Sequence, residues 1–139
     1  MKPVTLLRYL LAASTLFGAV GVFAHGDSDG KEALTVLQEQ HLRNVPGKKA
    51  VMLTVSYAPG QRSLPHQHPG AVMAYVLEGE VISQLKGQEP QTYKVGEYWF
   101  EPAGTVHSVS RNASGTQPAK LLVWSLTDDS DPIALPYKE

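Results

Sequence analysis

The sequence predicts an all-β domain, built from short strands that form a sandwich or a barrel. Val51, Leu53, Val55 and Tyr57 alternate with Met52, Thr54 and Ser56. This is the two-residue period of a half-buried strand. Similar short runs recur about every ten residues, and glycine and proline separate them. No long amphipathic helical pattern competes with these runs.

The candidate strands can be placed in order along the chain. Residues 31–40 suit a short helix, but Leu34-Thr35-Val36-Leu37 is equally typical of an edge strand, so both assignments stay open. The predicted strands beyond it are residues 51–57, 72–77, 81–85, 91–95, 97–101, 105–111 and 119–126. The turns between them contain Pro59-Gly60, Gly79, Gly87, Gly96 and Pro102-Ala103-Gly104. We expect the core to cover roughly residues 33–127, with residues 27–31 and 127–139 as arms.

The first 24 residues are typical of a secretory signal peptide. Lys2 and Arg8 precede an uncharged run at residues 9–24 that ends in the small residues a signal peptidase reads. The run is short and is interrupted by Ser14-Thr15, which argues against a membrane anchor. We therefore expect cleavage after Ala24 by a bacterial Sec-type pathway, a periplasmic or secreted mature protein, and no membrane attachment after cleavage.

Composition limits the chemistry that the mature chain can perform. The 139 residues carry a formal net charge of −1 and include no cysteine. Disulfides, thiol catalysis, iron–sulfur clusters and cysteine-ligated zinc are thereby excluded. The near-neutral balance argues against nucleic acid as a partner. The remaining segment, residues 25–139, is long enough to form a single domain with one core.

Three histidines have the pattern of metal ligands. His66 and His68 are two residues apart, so on an extended segment both side chains point to the same face. Neutral imidazole is a suitable donor for iron, manganese, nickel, copper and zinc. Such a pair alone is a weak indication of a metal site. His107 strengthens this indication, because it lies near the start of another predicted strand after a tight turn.

The spacing of these histidines resembles the two motifs of the cupin superfamily. The first family motif is Gly, five residues, His-x-His, three or four residues, Glu, six residues, Gly. The second is Gly, five residues, Pro-x-Gly, two residues, His, three residues, Asn. The matching positions here are Gly60, His66, His68, Val72, Gly79, Gly96, Pro102, Gly104 and His107, while Asn112 comes one place late. The resemblance implies a cupin-type β-barrel, which is a double-stranded β-helix or jelly roll.

The resemblance also implies a metal site, with one departure from the family pattern. Its ligands would be His66, His68 and His107, but Val72 stands where the family usually supplies a glutamate. Three neutral ligands would leave a divalent ion at formal charge +2 with open positions for substrate. The departure is also compatible with a weakened or lost site. Glu101 is one candidate for a replacement carboxylate, but we expect it to lie on the surface.

Strand parity predicts the walls of a pocket beside this site. If Val72 faces the barrel interior, Ala74 and Val76 face it too, and Met73, Tyr75 and Leu77 point the other way. The aromatic run at residues 98–100 is expected to serve as core or dimer contact rather than as pocket lining.

These observations together favour an exported, metal-binding cupin. Some cupin dioxygenases that act on thiols and diketones are similar in using three histidines. The resemblance thus implies a dioxygenase-type oxidoreductase acting on a small metal-chelating organic substrate, with iron as the favoured metal and manganese, nickel, copper or zinc open. The alternatives are a non-catalytic periplasmic cupin that binds a small ligand, and a metal-dependent isomerase or lyase. A homodimer that pairs through residues 31–43 is also expected.

Overall fold

The computed structural model describes residues 32–138, so the predicted signal peptide at residues 1–24 lies outside the described residues. The described part contains ten β-strands and no helix. The strands are β1 (Ala33–His41), β2 (Lys48–Tyr57), β3 (His66–Gln67), β4 (Ala71–Glu78), β5 (Glu80–Leu85), β6 (Gln91–Lys94), β7 (Tyr98–Glu101), β8 (Val106–Asn112), β9 (Ala119–Asp128) and β10 (Leu135–Pro136). Over residues 32–138, then, nothing has the form of a membrane-crossing helix.

The strands form two five-stranded antiparallel sheets. One has the order β1-β2-β9-β4-β7, and the other has the order β10-β3-β8-β5-β6. The chain crosses between the two sheets repeatedly, and one of these crossings is at Gly79, between β4 and β5. This jelly-roll arrangement confirms the predicted all-β double-stranded β-helix. It also resolves the ambiguity at the start of the domain, because β1 is an edge strand and not a helix.

The core lies between the inward faces of the two sheets. On β4, Val72, Ala74 and Val76 are buried, as parity predicts, while the side chains between them are exposed. The alternate residues of β2, ending at Tyr57, pack against them. Burying one such valine contributes about 1.5–3 kcal/mol, so this inward stripe stabilises the barrel that carries the site.

Two glycines shape the backbone beside the histidine strands, one through a close approach and one through a positive φ. Gly70 lies against β9, where a Cβ atom would come 2.1 Å from the carbonyl oxygen of Leu126. Gly104 has a φ of +77°, which glycine adopts without strain, and it forms the turn before β8. Its backbone N–H donates to the carbonyl of His68 at 2.8 Å, and its own carbonyl accepts from the Gln67 side chain. These bonds fix the end of β3 against the start of β8.

The C-terminal segment differs from the expected free arm. Strand β10 pairs with β3, which places Leu135 opposite Gln67 and Pro136 opposite His66. Tyr137 then donates its backbone N–H to the carbonyl of Pro65 at 3.1 Å. The expectation that residues 127–139 form an arm was therefore wrong, because the end of the chain completes the second sheet beside the histidines.

Candidate metal centre

The structure brings the three predicted histidines together. His66 on β3 and His107 on β8 are paired residues of neighbouring strands, and His68 follows β3 directly. One candidate ligand atom from each ring lies within 4.8 Å of those of the other two. His68 and His107 are buried and His66 is half-buried. The antiparallel pairing of β3 and β8 therefore positions both sequence motifs at one place.

Two backbone carbonyls fix the proton positions of His66 and His68. The Nδ1 atom of His66 lies 2.8 Å from the carbonyl oxygen of Leu64, and that of His68 lies 2.7 Å from the carbonyl oxygen of Ile133. Because a carbonyl only accepts, each Nδ1 carries the proton and each neutral ring keeps its lone pair on Nε2. The two Nε2 atoms face each other at 3.1 Å.

The lone pairs on Nε2 of His66 and His68 are placed to bind a cation. Two neutral acceptors at that distance cannot form a hydrogen bond with each other. Two nitrogen ligands about 2.1 Å from one ion, at a right angle, would be about 3.0 Å apart. The observed 3.1 Å separation therefore fits two ligands of a single transition metal.

Burial keeps the three rings neutral. It lowers the pKa of His66 and of His68, although the carbonyl bonds oppose this shift. Burial, with the neighbouring His66 and His68, lowers the pKa of His107 to about 3. Neutral imidazole is the form that binds a metal, so these rings need not lose a proton to do so at neutral pH.

His107 has a different set of partners from the other two rings. Its Nε2 lies 2.8 Å from the hydroxyl of Ser83 on β5, and its Nδ1 lies 3.2 Å from Oε1 of Glu101. A hydrogen bond between the ring and the backbone of Val109 opposes the fall in the pKa of His107. When the proton is on Nε2, the ring donates to Ser83 and directs its Nδ1 lone pair towards the glutamate. In that tautomer, His107 can act as a ligand through Nδ1.

Glu101 was predicted to lie on the surface, and that prediction was wrong. It is only 2% exposed, because β7 turns the alternate residues Trp99 and Glu101 inward. Its Oε1 accepts a 2.8 Å hydrogen bond from Nε1 of Trp99, and its Oε2 lies 3.6 Å from Nε2 of His68. Burial raises the pKa of this carboxyl group, and the Trp99 bond opposes the rise. Alternation with the aromatic residues of β7 was the signal that could have revealed it.

The histidines and Glu101 line a cavity of about 490 Å³. Most of its wall is apolar, with side chains from β1, β2, β4, β9 and the C-terminal segment, and Val72 and Ala74 lie in it as expected. Trp99 belongs to the core, as expected for a core or dimer contact, but it also lines the cavity, whereas Tyr98 and Phe100 are exposed. Among the described residues, no lysine or arginine lines this cavity.

Two further polar features interrupt the apolar wall, namely the half-buried Glu32 and a cluster of hydroxyl groups. The hydroxyl of Tyr57 lies 2.8 Å from the hydroxyls of both Ser63 and Ser110, and all three residues line the cavity. Burial raises the pKa of Tyr57, and the two serine hydrogen bonds oppose the rise. The cavity therefore offers Glu32 and one hydroxyl cluster besides the histidines and Glu101.

Comparison with solved structures shows the same fold in several proteins. The structure matches the DMSP lyase DddQ from Ruegeria pomeroyi with a TM-score of 0.62 and 22% identity, over 84% of this chain and 56% of that one. It matches oxalate oxidase in complex with glycolate with a TM-score of 0.61 and 23% identity, over 78% of this chain and 56% of that one. At these identities, the likeness concerns the fold alone.

Sequence comparison finds related plant proteins. The chain is 34% identical over 90 residues to germin-like protein subfamily 2 member 2 of Arabidopsis thaliana, covering 59% of this chain and 40% of that protein. It is 32% identical over 90 residues to the rhicadhesin receptor of Pisum sativum, covering 59% of this chain and 41% of that protein. The matched part is thus about two fifths of the length of each relative.

The family assignment rests on a match over most of the barrel. Residues 53–125 match the family model of the Cupin domain, and this stretch contains both histidine motifs and Glu101. Together with the double-stranded β-helix, this match shows that the chain belongs to the cupin family.

Proposed function

We propose that this protein is a metal-dependent oxidoreductase of the dioxygenase type that acts on a small, metal-chelating organic substrate. His66, His68 and His107 would hold a divalent transition metal, with iron as the first candidate. The observation that carries the proposal is the meeting of three neutral imidazoles in a largely apolar cavity. The 3.1 Å separation of two Nε2 lone pairs supports the same ligand set.

The metal and the protein would have separate tasks. A bound iron(II) ion supplies one-electron chemistry with dioxygen and a point of attachment for the oxygen atoms of the substrate. The carbonyls of Leu64 and Ile133 hold the imidazole rings in orientation through the Nδ1 protons. The apolar wall excludes water and aligns the body of the substrate. The Tyr57 hydroxyl cluster offers a hydrogen bond to a second polar group.

The cavity wall also narrows the substrate class. A dicarboxylate bound at a metal by one end needs a cationic partner for the other, and none lines the cavity among residues 32–138. One chelating head with an apolar body is the better match. A β-diketone is a simple representative of that class.

Two further features of the proposal concern location and assembly. Residues 1–24 would direct export to the periplasm or the medium and be removed, leaving residues 25–139 as one cupin domain. Strand β1 would pair with a second copy, because it is the edge strand of its sheet and exposes Leu37 away from the cavity. N-terminal sequencing of the exported protein and its mass in solution test these two points.

The deciding experiment measures metal content and oxygen consumption. The mature protein would be purified without a tag from an export-competent host, and its transition metals quantified by elemental mass spectrometry. We expect close to one redox-active ion per chain, and oxygen uptake with benzoylacetone but not with oxalate. His68→Ala should remove the metal, whereas His41→Ala, which changes an exposed histidine, should retain it.

The same experiment separates the alternatives. Turnover of a substrate without oxygen consumption, or stoichiometric zinc, would favour a metal-dependent isomerase or lyase. Failure to bind iron, manganese, nickel, copper and zinc, each in excess, would contradict the metal site and favour a module that only binds a small ligand.

A further inference from the structure

We propose that Glu101 is a fourth ligand of the metal site, supplying from β7 the carboxylate that position 72 of β4 lacks. The inference rests on the proposed function, because it requires that the three histidines hold a metal ion. With Glu101 as a ligand, the ion would be bound by three neutral imidazoles and one carboxylate anion.

The strand register places the two positions at the same point of the barrel. Val72 and Glu101 are directly paired residues of β4 and β7, and both side chains are buried on the inward face. Directly opposed residues on one face of an antiparallel pair have Cβ atoms about 4.5–5.5 Å apart. A carboxylate on β7 therefore reaches the part of the cavity that a carboxylate at position 72 would occupy.

The distances place Glu101 against two of the three histidines. Its Oε2 lies 3.6 Å from Nε2 of His68, which is the atom with the free lone pair. Its Oε1 lies 3.2 Å from Nδ1 of His107. These distances are close to those between neighbouring ligand atoms of one ion.

The carboxylate also has a free oxygen. Oε2 of Glu101 is fully buried and has no hydrogen-bond partner among the described residues. An unpaired buried polar atom is costly, and most such atoms in native proteins have a partner. A metal cation beside His68 would satisfy this oxygen. The single negative charge would also reduce the net charge of the ion in a mainly apolar cavity.

The main competing role is an outer one, in which Glu101 only accepts the Nδ1 proton of His107. In that arrangement, Nε2 of His107 accepts a hydrogen bond from the Ser83 hydroxyl, and this hydroxyl would have to turn away before Nε2 could bind a metal. The outer role would also leave Oε2 of Glu101 unpaired. In the ligand role, the metal is the partner of Oε2, and His107 takes the opposite tautomer, with its Ser83 hydrogen bond kept.

The test compares the binding of manganese(II) by folded variants, with free manganese measured by electron paramagnetic resonance. Glu101→Gln keeps the size of the side chain and an acceptor for the Trp99 bond. We expect it to raise the dissociation constant about a hundredfold or more, because second-shell changes alone already cost about 10–100-fold. Glu89→Gln, a matched change at an exposed glutamate, should leave the constant unchanged.

A relocated carboxylate and a vibrational signal make the test specific. The double variant Val72→Glu/Glu101→Gln should recover affinity to within about tenfold of the parent, since the two positions are paired. Infrared difference spectra on manganese binding should show a coordinated carboxylate in the parent and lose it in Glu101→Gln. An outer role predicts weaker binding with no such carboxylate signal to lose, and that result would overturn the proposal.

The controls distinguish this inference from the proposed function. If His68→Ala abolishes manganese binding while Glu101→Gln leaves it unchanged, the histidine site stands and the fourth ligand is wrong. If His68→Ala also leaves binding unchanged, the histidine site itself is wrong. Thermal unfolding of the metal-free variants would confirm that each one is folded before affinities are compared.

Discussion

His68 donates its Nδ1 proton to the carbonyl oxygen of Ile133 at 2.7 Å, which joins the candidate metal centre to the last segment of the chain. Ile133 also packs against the core, and the segment after it lines the cavity and pairs with β3. The orientation of a ligand in the first half of the domain thus depends on residues 65 positions later.

Removal of this segment should weaken metal binding while the barrel stays folded. A chain that ends at Asp131 lacks the carbonyl acceptor, so the His68 ring is no longer held in one tautomer and orientation. We expect the manganese dissociation constant to rise about 10–100-fold. A chain that ends at Pro136 keeps β10 and serves as the control. Equal affinity in the two truncated proteins would show that the carbonyl does not orient the ligand.

The metal-free protein should lose stability in mild acid. An ordinary histidine in the unfolded chain takes up a proton near pH 6.5, while burial lowers the pKa of His107 in the folded protein to about 3. As the pH falls below 6.5, His107 binds a proton in the unfolded state but not in the folded state, so the free energy of unfolding decreases. Between pH 7.5 and 5.0, His107 alone would account for about 2 kcal/mol, and the lowered pKa values of His66 and His68 act in the same direction.

Glu101 has the opposite effect, which gives this prediction an internal control. Its raised pKa means that the folded state binds a proton more readily than the unfolded state, so its contribution increases as the pH falls towards 4.5. Urea unfolding of the metal-free protein at several pH values should show a steeper acid loss in Glu101→Gln than in the parent. A variant with all three histidines replaced by glutamine should lose most of the pH dependence. Parallel curves for all three proteins would contradict the pKa shifts.

Gly70 should be intolerant of any side chain. A Cβ atom there would lie 2.1 Å from the backbone oxygen of Leu126 and 2.6 Å from Cβ of Thr127, so the β3–β4 connection would have to move away from β9. We expect Gly70→Ala to reduce the free energy of unfolding by about 1–3 kcal/mol. Gly115→Ala is the control, because nothing lies within 4 Å of its Cβ position. It should change the stability by less than about 0.5 kcal/mol, and urea unfolding measures both.

The sequence predicted the parts of the site that local patterns encode. The alternation in β4 identified the inward face, and the fixed motif offsets brought His66 and His107 to neighbouring strands. The role of Glu101 depends on which face of the four-residue strand β7 turns inward, and so short a segment gives a weak parity signal. Ile133 was missed for a different reason, since its carbonyl contact spans 65 residues and has no side-chain signature.

The indole N–H of Trp99 should strengthen metal binding at the candidate metal centre, because it holds Glu101 in place. It donates a 2.8 Å hydrogen bond to Oε1, which holds the carboxylate in place and partly offsets the rise in its pKa. Trp99→Phe removes this donor but keeps an aromatic ring against Tyr93, whose ring centroid is 4.7 Å away. We expect the manganese dissociation constant to rise about tenfold, as for loss of an outer hydrogen bond. Tyr98→Phe, at the exposed neighbouring position, should have no effect. If Trp99→Phe binds manganese as tightly as the parent, the carboxylate does not depend on the indole for its orientation.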